Sequence, residues 1–418
     1  MIDINNQLHI LIIVLTCFVI TLLTTFYIKK IAIHVGAMDI PNKRKVHQKP
    51  MPRLGGLGIF IGFLFGYMLF GVQSIQMNSI LIGSFIIILT GVIDDIKPLD
   101  AKTKLFGQII AACIVIFYGN ILLNKVTLFG LYINFGILSY PLTILFILGC
   151  INIINLIDGL DGLSGGTCAI FYLTIGIIAF IKGTMGALNI TLAFIMLGAT
   201  LGFLYHNFYP AKIFSGDSGS MFQGFMIAVI SLLGFKTATM ISLFVPILIL
   251  GIPILDTLFA IIRRAIKHQP IYMPDKSHLH HQLLKLGLSH RNTVLAIYGM
   301  NLLFAAASVM YLIGDKKIGI YLYLTILFLI IWILLRTSII TDKNKQWVNK
   351  KKKLNFFFSF TQLSAKIITK KGKNYQISTK NCKKIGILRI NPKNVLYNGG
   401  VVVYERVFKM AWSQWKSC

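Results

Sequence analysis

Apolar residues along most of this chain do not alternate with polar ones; they run in long, nearly unbroken blocks. A helix needs about 20 apolar residues to cross the hydrocarbon core of a bilayer, and such blocks recur from His9 until shortly before Arg336. Eleven spans are predicted, centred near Leu15, Leu64, Ile86, Val115, Leu145, Leu173, Met196, Ala228, Ile247, Leu303 and Phe328. The expected fold class is therefore all-α, a polytopic membrane protein whose loops carry its polar residues, because a helix satisfies its own backbone groups where lipid offers none. The first block is as long as a full span, has no basic stretch ahead of it, and is followed by Lys29 and Lys30. It is expected to stay as a helix rather than be removed as a signal.

Composition agrees with this pattern. The 418 residues are 56% hydrophobic and only 13% charged, and the mean hydropathy of +0.76 exceeds that of ordinary soluble domains. The net charge of +28 raises the question of nucleic acid, and the placement of the cations decides against it. With eleven spans and an external N-terminus, the loops between Lys29 and Arg53, Lys97 and Lys104, and Arg263 and Arg291 fall on one side and hold most of the cations. The opposite loops hold only Lys125, Lys182, Lys236, Lys316 and Lys317. This asymmetry makes the cation-rich side cytoplasmic. The remaining lysines crowd the segment after Thr341, where Lys350 to Lys353 can meet anionic headgroups. The chain thus divides into a multi-span domain, 1–340, and a basic cytoplasmic tail, 341–418. The cysteines show neither CxxC nor Cys/His spacing, so they suggest neither zinc nor a disulfide framework.

Carboxylates are scarce, which makes their placement informative. The one glutamate, Glu405, lies in the tail, and most aspartates, from Asp39 to Asp275, fall on or beside the loops assigned to the cytoplasm. Asp94 and Asp95 end the third span in GVIDDIKPLDAKTK. Adjacent like charges at a bilayer surface repel unless a cation sits beside them, and carboxylates without His or Cys select a hard ion such as Mg²⁺ or Mn²⁺. A water-facing acidic pair at a helix end is the plainer reading. In NLIDGLDGLSGG, helical spacing would put Asn155, Asp158 and Asp161 on one face, with donors and acceptors suited to a nucleotide sugar; the alternative is a glycine-rich turn.

In NFYPAKIFSGDSGS, Asp217 lies between glycines as a second metal ligand, the alternative being an N-cap of the eighth span supplied by Asp217 or Ser218, and Phe214 is available to stack on a base. PDKSHLHH places His278, His280 and His281 together in a long basic loop. No acidic or thiol ligand of suitable spacing favours zinc. Neutral or protonated imidazoles beside Arg263, Arg264 and Lys276 would instead offset charge on a pyrophosphate. The proline-stiffened first loop carries Arg44, Lys45 and His47, positioned to hold an anionic headgroup.

Six strings, DIPNKRKVHQKPMPRLGG, DDIKPLDAKTKLFGQ, NLIDGLDGLSGG, NFYPAKIFSGDSGS, PILDTLFAIIRR and PDKSHLHHQLLKLGLSHR, occur in this order. Together they resemble the polyprenyl-phosphate N-acetylhexosamine-1-phosphate transferases of bacterial envelope synthesis, over about residues 9 to 338. The HLHH loop is similar to that of the branch using UDP-GlcNAc, which includes the enzyme that starts wall teichoic acid. The resemblance implies transfer of GlcNAc-1-phosphate from UDP-GlcNAc to undecaprenyl phosphate, with Mg²⁺, in the cell membrane. It also implies that Asp95 and Asp217 hold the metal and that Asp94 orients the lipid phosphate or takes its proton. Asn155, Asp158 and Asp161 would meet the nucleotide sugar, His278, His280 and His281 the pyrophosphate, and Arg44, Lys45, His47 and Lys104 substrate anions. A homodimer is compatible with this class. The tail after Thr341 has no counterpart in the family. Two rivals remain, the phospho-N-acetylmuramoyl-pentapeptide branch and a transporter or flippase; a transporter would place acids near the midplane, often on repeated halves.

Overall fold

The structure, a computed structural model, describes residues 4–41, 49–128, 131–182, 188–237, 250–266, 278–336, 396–398 and 401–403. It forms two compact units, 1–340 and 341–418. In the second, a two-stranded antiparallel ribbon pairs Leu396–Asn398 with Val401–Val403.

The first unit is a helical bundle: α1 (Ile4–His34), α2 (Gly55–Phe70), α3 (Ile75–Ile96), α4 (Ala101–Cys113), α5 (Ser139–Ile157), α6 (Leu163–Lys182), α7 (Leu188–Asn207), α8 (Gly216–Thr237), α9 (Gly251–Ile266), α10 (Leu279–Lys285), α11 (His290–Ile313) and α12 (Lys316–Arg336). A π-helical segment, Ile114–Tyr118, prolongs α4. Two short hairpins interrupt the helices. Met38–Asp39 (β1) pairs with Met51–Pro52 (β2), and Lys125–Leu128 (β3) pairs with Leu131–Asn134 (β4).

The protein is a multi-pass membrane protein. Among the described residues six helical stretches are long and apolar enough to cross a bilayer: Gln7–His34, Ile75–Ile96, Ala101–Tyr118, Gly136–Ile157, Ile190–Asn207 and His290–Ile313. Shorter apolar helices lie at Gly55–Phe70, Leu163–Ile178 and Lys317–Leu329. Of the expected span centres, Ile247 lies outside the described residues, and every other one falls within a helix or the π segment after α4. The outer surface is as apolar as the core: Leu8, Leu11, Leu15, Val19, Leu23 and Phe26 along α1, for example, are all exposed. In water such a face would associate; against lipid tails it is solvated.

Helix α8 is central and packs on α3, α5 and α2, while α1 packs on α7 and α2, and α6 joins α7 to α11. Small residues allow the close approaches that membrane helices use in place of a hydrophobic drive. A Cβ on Gly62 of α2 would lie 1.8 Å from Thr21 Oγ1 on α1. This arrangement brings the C-terminal ends of α3 and α5 and the N-terminal ends of α2, α4, α6 and α8 to one end of the bundle, where the polar motifs of the sequence converge.

Candidate active site

Helix α3 stops where Pro98 cannot continue it, and Asp94 Oδ1 accepts the Leu99 N–H at 2.8 Å, folding the chain back toward α4. Asp100 opens α4 and accepts the Thr103 hydroxyl. One turn later Lys104 projects back over the site, with Nζ 3.2 Å from Asp94 Oδ1 and 2.8 Å from Asp217 Oδ2. Asp94 and Asp95 are buried and Asp217 partly so, and one carboxylate oxygen from each lies within 4.8 Å of the others.

The first N–H groups of a helix have no intrahelical partner. At α8, Asp95, an aspartate from another helix, fills that role. Asp95 Oδ1 accepts the Asp217 N–H at 2.9 Å, and Oδ2 accepts the Ser218 N–H at 3.1 Å and the Ser218 hydroxyl at 2.6 Å. This contact requires glycine at 216, where φ is +69° and a Cβ would lie 2.3 Å from Asp95 Oδ2. The last carbonyls of α3 are satisfied from the other side. Arg53 Nε donates to Asp95 O at 3.1 Å, and its other guanidinium nitrogen donates to Asp94 O at 3.0 Å. The segment before α8 is tied to the same place: the Phe214 N–H donates to Pro52 O, and Phe214 O accepts the Gly55 N–H.

The turn between α5 and α6 differs from the sequence expectation. Helix α5 ends at Ile157, so Asn155, Asp158 and Asp161 do not share a helical face. A helical spacing cannot continue through Asp158, whose ψ is 57°. Asn155 instead donates to Ser220 Oγ at 2.9 Å. Asp158 accepts the Ser164 hydroxyl on Oδ1 at 2.5 Å and the Ser215 hydroxyl on Oδ2, which links this turn to the approach to α8. Burial pushes its carboxyl up to about 6, against the two hydroxyl donors that lower it. Asp161 Oδ2 accepts the Ala211 N–H at 3.0 Å, and the Asp161 N–H donates to His290 Nε2 at 2.9 Å. The His290 ring stacks on Tyr209 at 4.7 Å.

The histidines begin α10 and close the next side of this turn. His278 and His280 are buried, with parallel rings 5.9 Å apart, and His281 lies 4.2 Å beyond His280. A Cβ on Gly159 would fall 2.7 Å from His280 Nε2, so the imidazole rests on the backbone next to Asp158. Burial, reinforced by His281, drops His280 to about 3. Of the two protonation states open from sequence, the neutral imidazole applies at His280. The histidines, which the sequence places in a long basic loop, stand at a helix start where His278 and His280 are buried, and Arg264 on α9 is buried too.

The site therefore unites Asp94, Asp95, Lys104, Asn155, Asp158, Phe214 and Asp217, with His280 against Gly159. Arg44, Lys45 and His47, with Asp275 and Lys276, lie outside the described residues. The sequence placed Arg53 only among the loop cations and Ser218 only as an alternative N-cap of the eighth span, and it did not single out Ser164 or Ser215. For Arg53 the available signal was its position directly before Leu54-Gly55-Gly56, at the start of an apolar helix.

A bundle that crosses the bilayer and gathers three carboxylates, a lysine and a histidine helix at one end defines a membrane-embedded enzyme for phosphate chemistry. Residues 77–235 match Glycosyl transferase family 4. The chain is 42% identical over 329 residues to a probable undecaprenyl-phosphate N-acetylglucosaminyl 1-phosphate transferase of Bacillus subtilis, covering 76% of this chain and 89% of that protein. It is 34% identical to the decaprenyl-phosphate N-acetylglucosaminephosphotransferase of Mycolicibacterium smegmatis, over 68% of this chain and 77% of that one. To the undecaprenyl-phosphate alpha-N-acetylglucosaminyl 1-phosphate transferase of Escherichia coli O157:H7 it is 28% identical, over 68% and 78%. The chain belongs to glycosyl transferase family 4.

Proposed function

We propose that the protein transfers GlcNAc-1-phosphate from UDP-GlcNAc to undecaprenyl phosphate, releasing UMP, as the first membrane step of an envelope polymer such as teichoic acid. The observation that carries this reading is the cluster of Asp94, Asp95 and Asp217 around Lys104, at the end of the bundle where the polar motifs converge. An oxygen of the lipid phosphate attacks the sugar-bearing phosphorus. The new P–O bond forms as the bond to the bridging oxygen breaks, and UMP leaves with that oxygen. The second pKa of a phosphate monoester lies near 6, so much of the nucleophile is already a dianion at neutral pH and a strong base is not required.

The donor set fits a divalent ion. It is all oxygen, compact and charged, and Lys104 already marks where positive charge is held. Asp94 and Asp217 hold the Lys104 ammonium between them, while Asp95 spends part of its capacity on the start of α8. Asp95 and Asp217 would hold Mg²⁺, with Mn²⁺ as a substitute, Asp94 beside them would orient the lipid phosphate or take its proton, and the ion would supply charge neutralisation across the diphosphate. Lys104 would contribute to the same neutralisation through its ammonium, and Asn155 would orient the donor sugar. His280 packs against the substrate-binding turn as a neutral group. The cation-rich side, which carries the site, is assigned to the cytoplasm, where UDP-GlcNAc is made, and the N-terminus to the outside.

The test is incubation of membranes holding the full chain with labelled UDP-GlcNAc, undecaprenyl phosphate and Mg²⁺. A lipid-linked sugar and an equivalent of UMP are expected, and both should disappear with a chelator. Product from UDP-N-acetylmuramoyl-pentapeptide but not UDP-GlcNAc would move the chain to the other branch. Absence of both products would overturn the reading.

A further inference from the structure

Asp256 lies on α9, away from the three clustered aspartates, and its carboxylate is 8% exposed. A carboxylate withdrawn from water needs hydrogen-bond partners, and both oxygens have them. Oδ1 accepts the Leu279 N–H at 2.8 Å, and Oδ2 lies 3.1 Å from His278 Nδ1. Leu279 is the first residue of α10, and the side chain of His278, at its N-cap position, makes no capping bond. Asp256 therefore does two things with one group: it receives an orphan N–H of the histidine helix, and it fixes the histidine that precedes that helix.

The second contact has a chemical consequence. A carboxylate only accepts, so the 3.1 Å contact requires the proton to be on Nδ1 of His278. The Nε2 atom is then the one left to meet a ligand, and the ring cannot rotate without breaking the contact. Carboxylates that hold a metal-bound imidazole in this way set its tautomer and orientation, and their loss typically costs about 10- to 100-fold; the same constraint acts on an imidazole that meets another ligand through Nε2. The parallel stacking of His280 on His278 carries that orientation one step further, to the ring that rests on Gly159.

We propose that Asp256 is a positioning residue for the transfer reaction: it locks His278 in the Nδ1-protonated tautomer and aligns the histidine helix against the Asp158 turn. This rests on the reading that the histidine helix meets the diphosphate of the donor. Asp256→Asn separates the two contacts, because the amide oxygen can still accept the Leu279 N–H while its NH₂ group, facing His278, removes the acceptor that the Nδ1 proton needs.

The experiment is a double-mutant cycle on the purified full chain in detergent, reading UMP release at saturating undecaprenyl phosphate with UDP-GlcNAc varied. Asp256→Asn and His278→Ala are each expected to lower kcat by about 10- to 100-fold, with KM for UDP-GlcNAc changing far less. The double variant should be no slower than His278→Ala alone, since Asp256 acts through His278. Asp256→Glu, which keeps a carboxylate, should recover part of the rate, and thermal melts should match between wild type and single variants. If Asp256→Asn proves unstable, Asp256→Ser, which also removes the carboxylate, replaces it in the same cycle. Multiplicative losses in the double variant, or a wild-type rate for Asp256→Asn beside a slow His278→Ala, overturn the assignment to Asp256 alone. A wild-type rate for His278→Ala overturns the histidine reading and this inference with it.

Discussion

The aspartate cluster and the histidine helix share a backbone solution and differ in electrostatics. In each, a helix that carries site residues receives a carboxylate from a different helix at its start: Asp95 of α3 at α8, and Asp256 of α9 at α10. Around the aspartates the neighbours are cations and small residues, Lys104, Arg53, Gly216 and Ser218. Around the histidines they are other rings, apolar side chains such as Leu279, Ile252 and Ile297, and the one carboxylate of Asp256 on His278, and His280 stays neutral. Cross-helix capping thus fixes where a helix begins, and its surroundings decide whether the result gathers several charges or a neutral imidazole. If this division is right, substitutions in the two regions should differ in the size and kind of their effects.

The largest effect is expected at Asp217. Asp217→Asn keeps the size of the side chain but removes a charge from both the metal donors and the Lys104 contact. Its kcat should fall by on the order of 10²–10³-fold, as when one preorganised electrostatic group is lost. Titrating Mn²⁺ binding by paramagnetic resonance gives a second readout, and unchanged Mn²⁺ affinity would remove Asp217 from the donor set. His280→Asn should leave Mn²⁺ affinity untouched, which separates the two regions directly.

Lys104→Ala is expected next, with about a tenfold to hundredfold loss of turnover at saturating Mg²⁺ and a lower Mg²⁺ requirement, since the ammonium no longer occupies the carboxylates of Asp94 and Asp217. An unchanged Mg²⁺ requirement would show that the ion does not sit where Lys104 reaches. Arg53→Ala should act more mildly. It frees the carbonyls of Asp94 and Asp95 at the end of α3, and leaving such groups unsatisfied costs about 1–3 kcal/mol. The melting temperature in detergent should therefore drop together with kcat, and a fall in kcat with no change in melting would contradict a capping role.

How much of this was legible in the sequence follows from the kind of signal involved. The spans were legible because twenty apolar residues in a row have few other uses, and the motifs were legible because carboxylates are rare in such a chain. Asp94, Asp95 and Asp217 could be grouped on chemistry alone. The geometry of NLIDGLDG could not. Its three polar residues have helical spacing, yet Asp158 leaves the helix to accept hydroxyls from Ser164 and Ser215, and the second of these is 57 positions away. Arg53 was hidden for the same reason, because its partners are backbone carbonyls more than forty residues further along. A carbonyl leaves no trace in residue identity. The neutrality of His280 was open in the sequence, since three clustered histidines in a basic stretch fit a solvated loop as readily as a buried helix start.

The smallest effect tests that neutrality against its neighbour across Gly159. Asp158 has a folded pKa of about 6, above its ordinary 3.8, so its contribution to stability is full at low pH and lost as pH rises through about 6. His280 has a folded pKa of about 3, below its ordinary 6.5, so its contribution is full above pH 6.5 and lost as pH falls toward 3. Between pH 4 and 6 the two slopes oppose each other, each at most about 1.4 kcal/mol per pH unit. Other groups titrate in the same window, so the readout is the slope of each detergent-solubilised variant relative to wild type. Asp158→Asn removes the aspartate term, and its melting-versus-pH slope should be more positive than that of wild type. His280→Asn removes the histidine term, and its slope should be more negative. Parallel slopes in the two variants would mean that one of these groups is not buried as the structure places it, and the contrast between a charged and a neutral half of the site would no longer hold at Gly159.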